Sequence, residues 1–85
     1  MSKTIVTFYT RGGCHLCEDA KKDLLELKKS WNFILKEVDI DQSDELTERY
    51  GLMIPVVLID GEEAGFGRID PFEISNRLQK KVEAF

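Results

Sequence analysis

The chain has 85 residues, of which 42% are hydrophobic and 33% charged, and twelve Lys and Arg against sixteen Asp and Glu give a net charge of −4. This length allows one small hydrophobic core, so we expect residues 1–85 to form a single domain. The composition excludes a disordered or collagen-like chain, and the scattered basic residues predict that the protein does not bind nucleic acid.

The first predicted element is a strand from Lys3 to Tyr9, whose residues are mostly β-branched or aromatic and nearly continuously apolar. This pattern is typical of a central strand that is covered on both faces. The apolar stretch is too short, and too soon followed by Arg11, for a secretory signal. No run approaches the about 20 apolar residues that span a bilayer. We therefore expect a cytoplasmic protein without membrane contact.

The two cysteines of the chain, Cys14 and Cys17, lie where this strand gives way to a predicted helix, after a loop with two glycines. Residues i and i+3 share a helix face, so the pair can form a disulfide or act as a dithiol. At a helix start, unpaired N–H groups and the helix dipole favour a thiolate at Cys14. Arg11 and a protonated His15 would act in the same direction. Cys17 should be less exposed, so we expect Cys14 to attack a disulfide and Cys17 to resolve it.

The helix is predicted to run from about Cys14 to Ser30 and to carry one apolar stripe. The stripe consists of Leu16, Ala20, Leu24, Leu27 and Trp31. A second strand is predicted over Phe33 to Ile40, where apolar Ile34, Val38 and Ile40 alternate with charged residues, and we expect it to be less fully covered than the first strand. A helix between two strands is typical of a right-handed βαβ crossover with parallel strands.

A short helix carrying Leu46 and Tyr50 should follow, with either Ser43 or Asp41 as its N-cap and Gly51 at its end. Beyond it, Pro55 opens the third strand, which is the second strongly apolar one.

That third strand covers Val56 to Ile59. Asp60-Gly61 is a two-residue hairpin signal. We therefore expect Glu62 to Gly65 to return antiparallel as an edge strand.

The last helix has clear start signals, with Asp70 as the N-cap, Pro71 at the first position and Glu73 three residues after the cap. Ile69 and Ile74 fit a hydrophobic staple around this start. The apolar stripe of the helix is predicted to comprise Ile74, Leu78 and Val82.

This order of elements, with Cys-x-x-Cys after the first strand and a proline opening the third, resembles the glutaredoxin and thioredoxin superfamily over nearly the whole chain. The resemblance implies an α/β thioredoxin fold, with a four-stranded mixed sheet flanked by three helices. It implies that Pro55 is a cis-proline beside the cysteines, and that the backbone of Ile54 pairs with the cysteinyl segment of a substrate or of glutathione. Arg11, three residues before Cys14, is similar to the basic residue of glutaredoxins that meets the glycine carboxylate of glutathione.

The sequence also departs from the glutaredoxin pattern. His15-Leu16 stands between the cysteines, without the proline that is common in both families. The Gly-Gly pair that begins the segment meeting the γ-glutamyl end of glutathione is replaced by Gly65-Phe66. Phe66 restricts the backbone and adds bulk at that point, so we expect glutathione to be used poorly. Phe66 itself is either part of the core or an exposed apolar contact beside the site.

These patterns predict a thiol–disulfide oxidoreductase that works through Cys14 and Cys17, with roles in electron transport and cell redox homeostasis. Expected partners are disulfide-containing proteins and, as reductant, glutathione or a thioredoxin-reductase-type enzyme. We expect a monomer with no bound cofactor or metal, in which glutathione is a possible co-substrate and His15 tunes Cys14.

Three alternatives remain open. Cys14 could bridge two chains around a metal or an iron–sulfur cluster. The chain could be a non-catalytic binding module with this fold, or the cysteines could be small buried hydrophobes. A closed zinc site is disfavoured, because four ligands are needed and only His15 is near the two sulfurs.

Overall fold

The computed structural model of the protein describes residues 4–81; Lys3 of the first predicted strand and Val82 of the last apolar stripe lie outside them. The elements follow the predicted order. They are strand β1 (Ile5–Thr10), helix α1 (His15–Leu27), strand β2 (Ile34–Asp39), one 3-10 turn (Ile40–Gln42), helix α2 (Asp44–Tyr50), strands β3 (Val56–Ile59) and β4 (Glu62–Phe66), and helix α3 (Pro71–Gln79). Each helix of the described chain is too short or too polar to cross a bilayer.

The four strands form one mixed sheet in the order β2-β1-β3-β4. β1 is parallel to β2 and antiparallel to β3, and β4 closes the other edge antiparallel to β3. Phe8 lies at the centre, between Glu37 of β2 and Val57 of β3. The predicted central position of β1 and the parallel βαβ crossover are therefore confirmed.

The main core lies on the face of the sheet that α1 and α3 cover. Because side chains alternate along a strand, Val6 and Phe8 of β1 both point to this face. They pack with residues of the two helices and of the other strands, and most of the cluster is inaccessible to solvent. Its buried members include Val6, Phe8, Cys17, Ala20, Leu24, Val57, Ile59, Ile74 and Leu78.

A smaller cluster of Ile40, Tyr50 and Val56 lies on the opposite face, beneath the 3-10 turn and α2. The ring of Tyr9 stacks on that of Tyr50 at 4.4 Å between centroids. Since α2 has only seven residues, it leaves the start of β1 half-covered on this side. Complete burial of both faces of β1, which its continuous apolar pattern predicts, therefore holds for one face only.

Local signals placed the turns and helix starts correctly. Asp60 (φ 50°) and Gly61 (φ 86°) form the two-residue turn between β3 and β4, as expected of a hairpin loop that needs positive φ at both positions. The carboxylate of Asp70 accepts a hydrogen bond from the N–H of Phe72 at 3.0 Å. Ile69 and Ile74 are both buried beside this cap, as a hydrophobic staple requires.

Several predicted boundaries and one face differ from the structure. β1 and β4 each end one residue later than predicted, and β2 covers Ile34–Asp39 rather than Phe33 to Ile40, since Ile40 begins the 3-10 turn. α1 begins at His15 and ends at Leu27 rather than at Ser30, because tight turns over the next residues carry the chain back to β2, with the N–H of Trp31 bonded to the Leu27 carbonyl. In β2, Ile34 is exposed, whereas Leu35 packs against the main core. β2 is an edge strand, and none of its residues is buried. The alternation of apolar residues along β2 therefore does not indicate which of its faces packs against the core.

Candidate dithiol site

The two cysteines lie at the carboxyl end of β1, where the chain turns into α1. Gly13 adopts φ 75° in this turn, a conformation that glycine reaches without steric cost. Cys14 is the N-cap of α1, with an extended backbone, and Cys17 lies in the first turn. The two sulfurs are joined in a disulfide, with the Cα atoms 5.1 Å apart.

The two sulfurs differ in accessibility and in hydrogen bonding. Cys17 is 2% exposed and belongs to the main core, whereas Cys14 is only half-buried. The N–H of Cys17 donates to Sγ of Cys14 at 3.2 Å, which places a helix N-terminal donor on the accessible sulfur. Negative charge that develops on Cys14 would meet this donor and the positive end of the helix dipole. The arrangement therefore favours a thiolate at Cys14, both when this sulfur attacks a disulfide and when it leaves one.

The loop before β3 lies against the same core as the cysteines. The Ile54–Pro55 peptide bond is cis, as the family resemblance implies. Ile54 and Cys14 both pack against the cluster that contains Cys17. The N–H of Ile54 donates to the carbonyl of Tyr50 at 3.0 Å. Pairing of a substrate with this N–H thus requires that bond to open, and the role of Ile54 in substrate binding stays a prediction.

The segment after β4 is tied to the same loop. The N–H of Gly67 donates to the carbonyls of Met53 at 2.9 Å and Pro55 at 2.8 Å. A Cβ at Gly65 would lie 3.3 Å from Cδ1 of Ile69, so that position accepts a side chain only if its neighbour shifts. Between the two glycines, Phe66 is 53% exposed. Of the two alternatives for Phe66, the structure thus supports the exposed apolar contact.

Two further exposed apolar side chains lie near these segments. Leu16, which the helical stripe places in the core, is 43% exposed. The reason is its position in the first turn of α1, where Cys17 instead of Leu16 faces the sheet. Leu16 lines a groove of about 230 Å³ with Gly67. Leu52, next to Met53, is fully exposed; its place in a loop directly after Gly51 was the available sequence signal.

Arg11 does not stand free beside the cysteines. Its Nε donates to Oδ1 of Asp41 at 2.8 Å, and about a third of the Arg11 side chain is exposed. Ser43, the other candidate cap, accepts a hydrogen bond from the N–H of Leu46 and is the N-cap of α2. Asp41 is thereby available for Arg11, an ion pair between residues thirty positions apart that sequence reasoning missed.

A groove of about 610 Å³ runs from this ion pair along one side of the disulfide. Arg11 and Cys17 both line it, together with the edge of β2 and the outer face of the first turns of α1. Its ionisable lining residues are Arg11, Glu18, Lys21, Glu37 and Asp39.

His15 points into solvent, with its side chain 95% exposed and Nδ1 3.8 Å from Oε2 of Glu18. It therefore approaches a carboxylate one turn along the helix, and its influence on Cys14 stays a prediction. Within residues 4–81, the structure brings together no group of three or more His, Cys, Asp or Glu side chains that could hold a metal ion.

A mixed sheet with a helix-capping Cys-x-x-Cys and a cis-proline before the third strand defines a thioredoxin-fold protein with redox capacity. The family described as "Glutaredoxin-like domain (DUF836)" matches residues 5–81. The chain therefore belongs to this glutaredoxin-like family, which confirms the family resemblance inferred from the motifs.

Individual relatives agree with this placement. An uncharacterized protein of Mycobacterium bovis is 32% identical over 75 residues, which cover 82% of this chain and 77% of the relative. The solution structure of a Nitrosomonas europaea protein is 33% identical, with a TM-score of 0.75 over 92% of this chain and 94% of that one. A crystal structure from X. campestris is 29% identical, with a TM-score of 0.74 over 88% of this chain and 96% of that one.

The likeness extends in fold to thioredoxins. A thioredoxin variant from Halobacterium salinarum is 17% identical, with a TM-score of 0.74 over 96% of this chain and 77% of that one. At that identity the match concerns the fold alone, and it confirms the predicted α/β thioredoxin fold.

Proposed function

We propose that the protein is a thiol–disulfide oxidoreductase that exchanges disulfides with protein substrates through a mixed disulfide at Cys14. The observation that carries the proposal is the asymmetry of the pair. Cys14 is partly exposed and its sulfur accepts a hydrogen bond from the N–H of Cys17, whereas Cys17 is buried in the main core. If the two cysteines served only as small buried hydrophobes, both would be expected in the core, and neither sulfur would need to be partly exposed and hydrogen-bonded at a helix start.

The reaction conserves electrons and protons in two steps. The Cys14 thiolate attacks one sulfur of a substrate disulfide, forms a mixed disulfide and releases the other substrate sulfur as a thiolate, which takes up a proton. Cys17 then loses its proton and attacks Sγ of Cys14, and the second substrate sulfur leaves. The substrate gains two electrons, and the protein is left with the Cys14–Cys17 disulfide.

Protein disulfides are the substrates that this surface favours. Leu16, Leu52 and Phe66 are exposed apolar side chains around the segments that flank the site, and such groups gain from contact with an apolar partner surface. The N–H of Gly67 is already bonded to two carbonyls. The segment where a glutaredoxin would meet the γ-glutamyl carboxylate therefore lacks this donor, which supports poor use of glutathione.

In this proposal the protein works as a cytoplasmic monomer in electron transfer and cell redox homeostasis, without a bound cofactor. Its disulfide is reduced mainly by a thioredoxin-reductase-type enzyme and only slowly by glutathione.

Trapping the intermediate tests the assignment of the two cysteines. Cys17→Ser should accumulate a mixed disulfide with a disulfide substrate, because the resolving sulfur is gone. Cys14→Ser should form none at a comparable rate. Intact-mass and peptide mass spectrometry locate the adduct. A stable adduct on Cys17 in the Cys14→Ser protein, with none on Cys14 in the other variant, would reverse the roles.

The reductant is tested by two donor systems. Reduction of the disulfide is compared between glutathione with glutathione reductase and NADPH with thioredoxin reductase. At the γ-glutamyl end, glutathione should lose one or two charge-assisted hydrogen bonds of about 1.5–3 kcal/mol each. We therefore expect its binding to be weakened by at least about tenfold. If glutathione is much the faster donor, Phe66 has not impaired the site and the protein is an ordinary glutaredoxin in this respect.

A further inference from the structure

The ion pair between Arg11 and Asp41 has a bearing on which thiols can reach the disulfide. The Nε–Oδ1 distance is 2.8 Å, both side chains are partly exposed, and Arg11 lines the groove that Cys17 also lines. Asp41 is held in the 3-10 turn after β2, where its N–H donates to the carboxylate of Asp39 at 2.9 Å. Its short side chain is thus presented to Arg11 by an ordered turn.

The charges around this groove are mainly negative. Lys21 is paired with Glu37 at 3.2 Å, so Arg11 is the cation left to attract an anion among the lining residues. Three carboxylates line the groove, those of Glu18, Glu37 and Asp39, against the two cations Arg11 and Lys21. The carboxylate of Asp41, which is paired with Arg11, brings the net charge of this group to −2. Without Asp41, Arg11 would lose its ion-pair partner and present its positive charge to the groove that Cys17 also lines.

We propose that Asp41 is a specificity-determining residue that biases the exchange reaction against anionic low-molecular-weight thiols by neutralising Arg11. This inference rests on the proposed oxidoreductase function and adds the chemical class of thiol that the site disfavours. Asp41 acts through Arg11 and through the field in the groove, without contact with the reacting sulfurs.

The affected step is the reduction of the protein disulfide by a small thiol. The thiolate attacks Sγ of Cys14, the Cys14–Cys17 bond breaks, and Cys17 leaves with the electron pair and takes up a proton. A second thiol then attacks the sulfur of the first thiol in the mixed disulfide and releases Cys14 as a thiolate. The protein gains two electrons, and two small thiols become one disulfide. An anionic thiol that approaches the disulfide from the side of this groove meets the field of its charges, whereas a neutral thiol does not.

The test compares glutathione, which carries a net charge of about −1 at neutral pH from two carboxylates and one ammonium group, with the neutral thiol 2-mercaptoethanol. The second-order rate constant for reduction of the disulfide is measured for each thiol, and their ratio cancels general changes in reactivity. Asp41→Asn keeps the size of the side chain and removes its charge. Glu48 is exposed on α2 and forms no ion pair among residues 4–81. Glu48→Gln therefore removes one negative charge away from Arg11 and serves as the matched control.

We expect Asp41→Asn to raise the ratio of glutathione to 2-mercaptoethanol by about two- to fivefold, the range that corresponds to an exposed ion pair, and Glu48→Gln to leave it unchanged. Adding Arg11→Gln to Asp41→Asn should return the ratio to the original value. An equal ratio in Asp41→Asn and Glu48→Gln, or a gain that survives Arg11→Gln, would overturn the role of Asp41. If neither thiol reduces the disulfide of the unchanged protein at all, the proposed oxidoreductase function itself fails. That outcome is distinct from an unchanged ratio, which overturns only the role of Asp41.

Discussion

Capping of α1 by the Cys14 sulfur gives a prediction that can be worked out from the structure. The N–H of Cys17 donates to this sulfur at 3.2 Å and lies at the buried start of the helix. Cys14→Ser keeps an acceptor, and serine is among the preferred N-cap residues, whereas Cys14→Ala leaves the N–H without one. The loss of a cap costs about 0.5–2 kcal/mol. We expect the alanine variant to be less stable than the serine variant by about 1 kcal/mol.

The two variants form a matched pair, because neither can make the Cys14–Cys17 disulfide. Urea unfolding followed by circular dichroism, with reductant present to prevent disulfides between chains, gives the free energy of unfolding of each. Equal stability within about 0.3 kcal/mol, well below the value of a cap, would show that the side chain at position 14 does not cap α1. The hydrogen-bond argument for a stabilised Cys14 thiolate would then fail with it.

Three further predictions concern the scaffold. Leu24→Ala should lower the free energy of unfolding by about 2–5 kcal/mol, because Leu24 is completely buried. Leu25→Ala, at an exposed neighbouring position, should lower it by less than about 1 kcal/mol. Equal losses for the two variants in urea unfolding would contradict the described packing. Burial, and then the neighbouring Tyr50, raise the pKa of Tyr9. Its neutral form is therefore favoured in the folded state, and the associated stability is present below pH 10 and lost as the pH rises through the raised pKa. Urea midpoints from pH 8 to 11 should fall less steeply in Tyr9→Phe, and identical slopes would contradict this. Asp70→Ala should lose about 0.5–2 kcal/mol and Asp70→Asn much less, because only the former removes the α3 cap; similar thermal midpoints in the two variants would count against the cap.

Elements with local signals were predictable from the sequence, and contacts made by distant segments were not. The Asp60-Gly61 turn, the Asp70 cap and the disulfide pair each depend on a few adjacent residues, so their chemistry can be recognised along the chain. The exposure of Leu16 depends on which residue of the first turn of α1 faces the sheet, and the structure places Cys17 there instead of Leu16, which helical periodicity alone does not decide. Likewise, the Arg11–Asp41 pair exists because β1 and β2 end side by side.

The features of the site also divide into those that the sequence predicted and those that depend on contacts between distant segments. The resemblance to glutaredoxins correctly implied the cis bond at Pro55. It could not reveal that the N–H of Gly67 is engaged by the carbonyls of Met53 and Pro55. That detail depends on the register between β3 and β4, where the pairing shifts after Val57. The bulk of Phe66 was visible in the sequence, but its exposure required the fold.

A single-turnover experiment tests the central claim most directly. The fully reduced protein is mixed with one equivalent of a disulfide-containing protein, quenched with acid at intervals, and the free thiols and intact masses of both partners are measured. The account predicts that each substrate disulfide reduced is matched by one Cys14–Cys17 disulfide, with the mixed disulfide rising and then disappearing. A protein whose two thiols persist while the substrate disulfide stays intact, or which stops at the mixed disulfide although Cys17 is present, would contradict it.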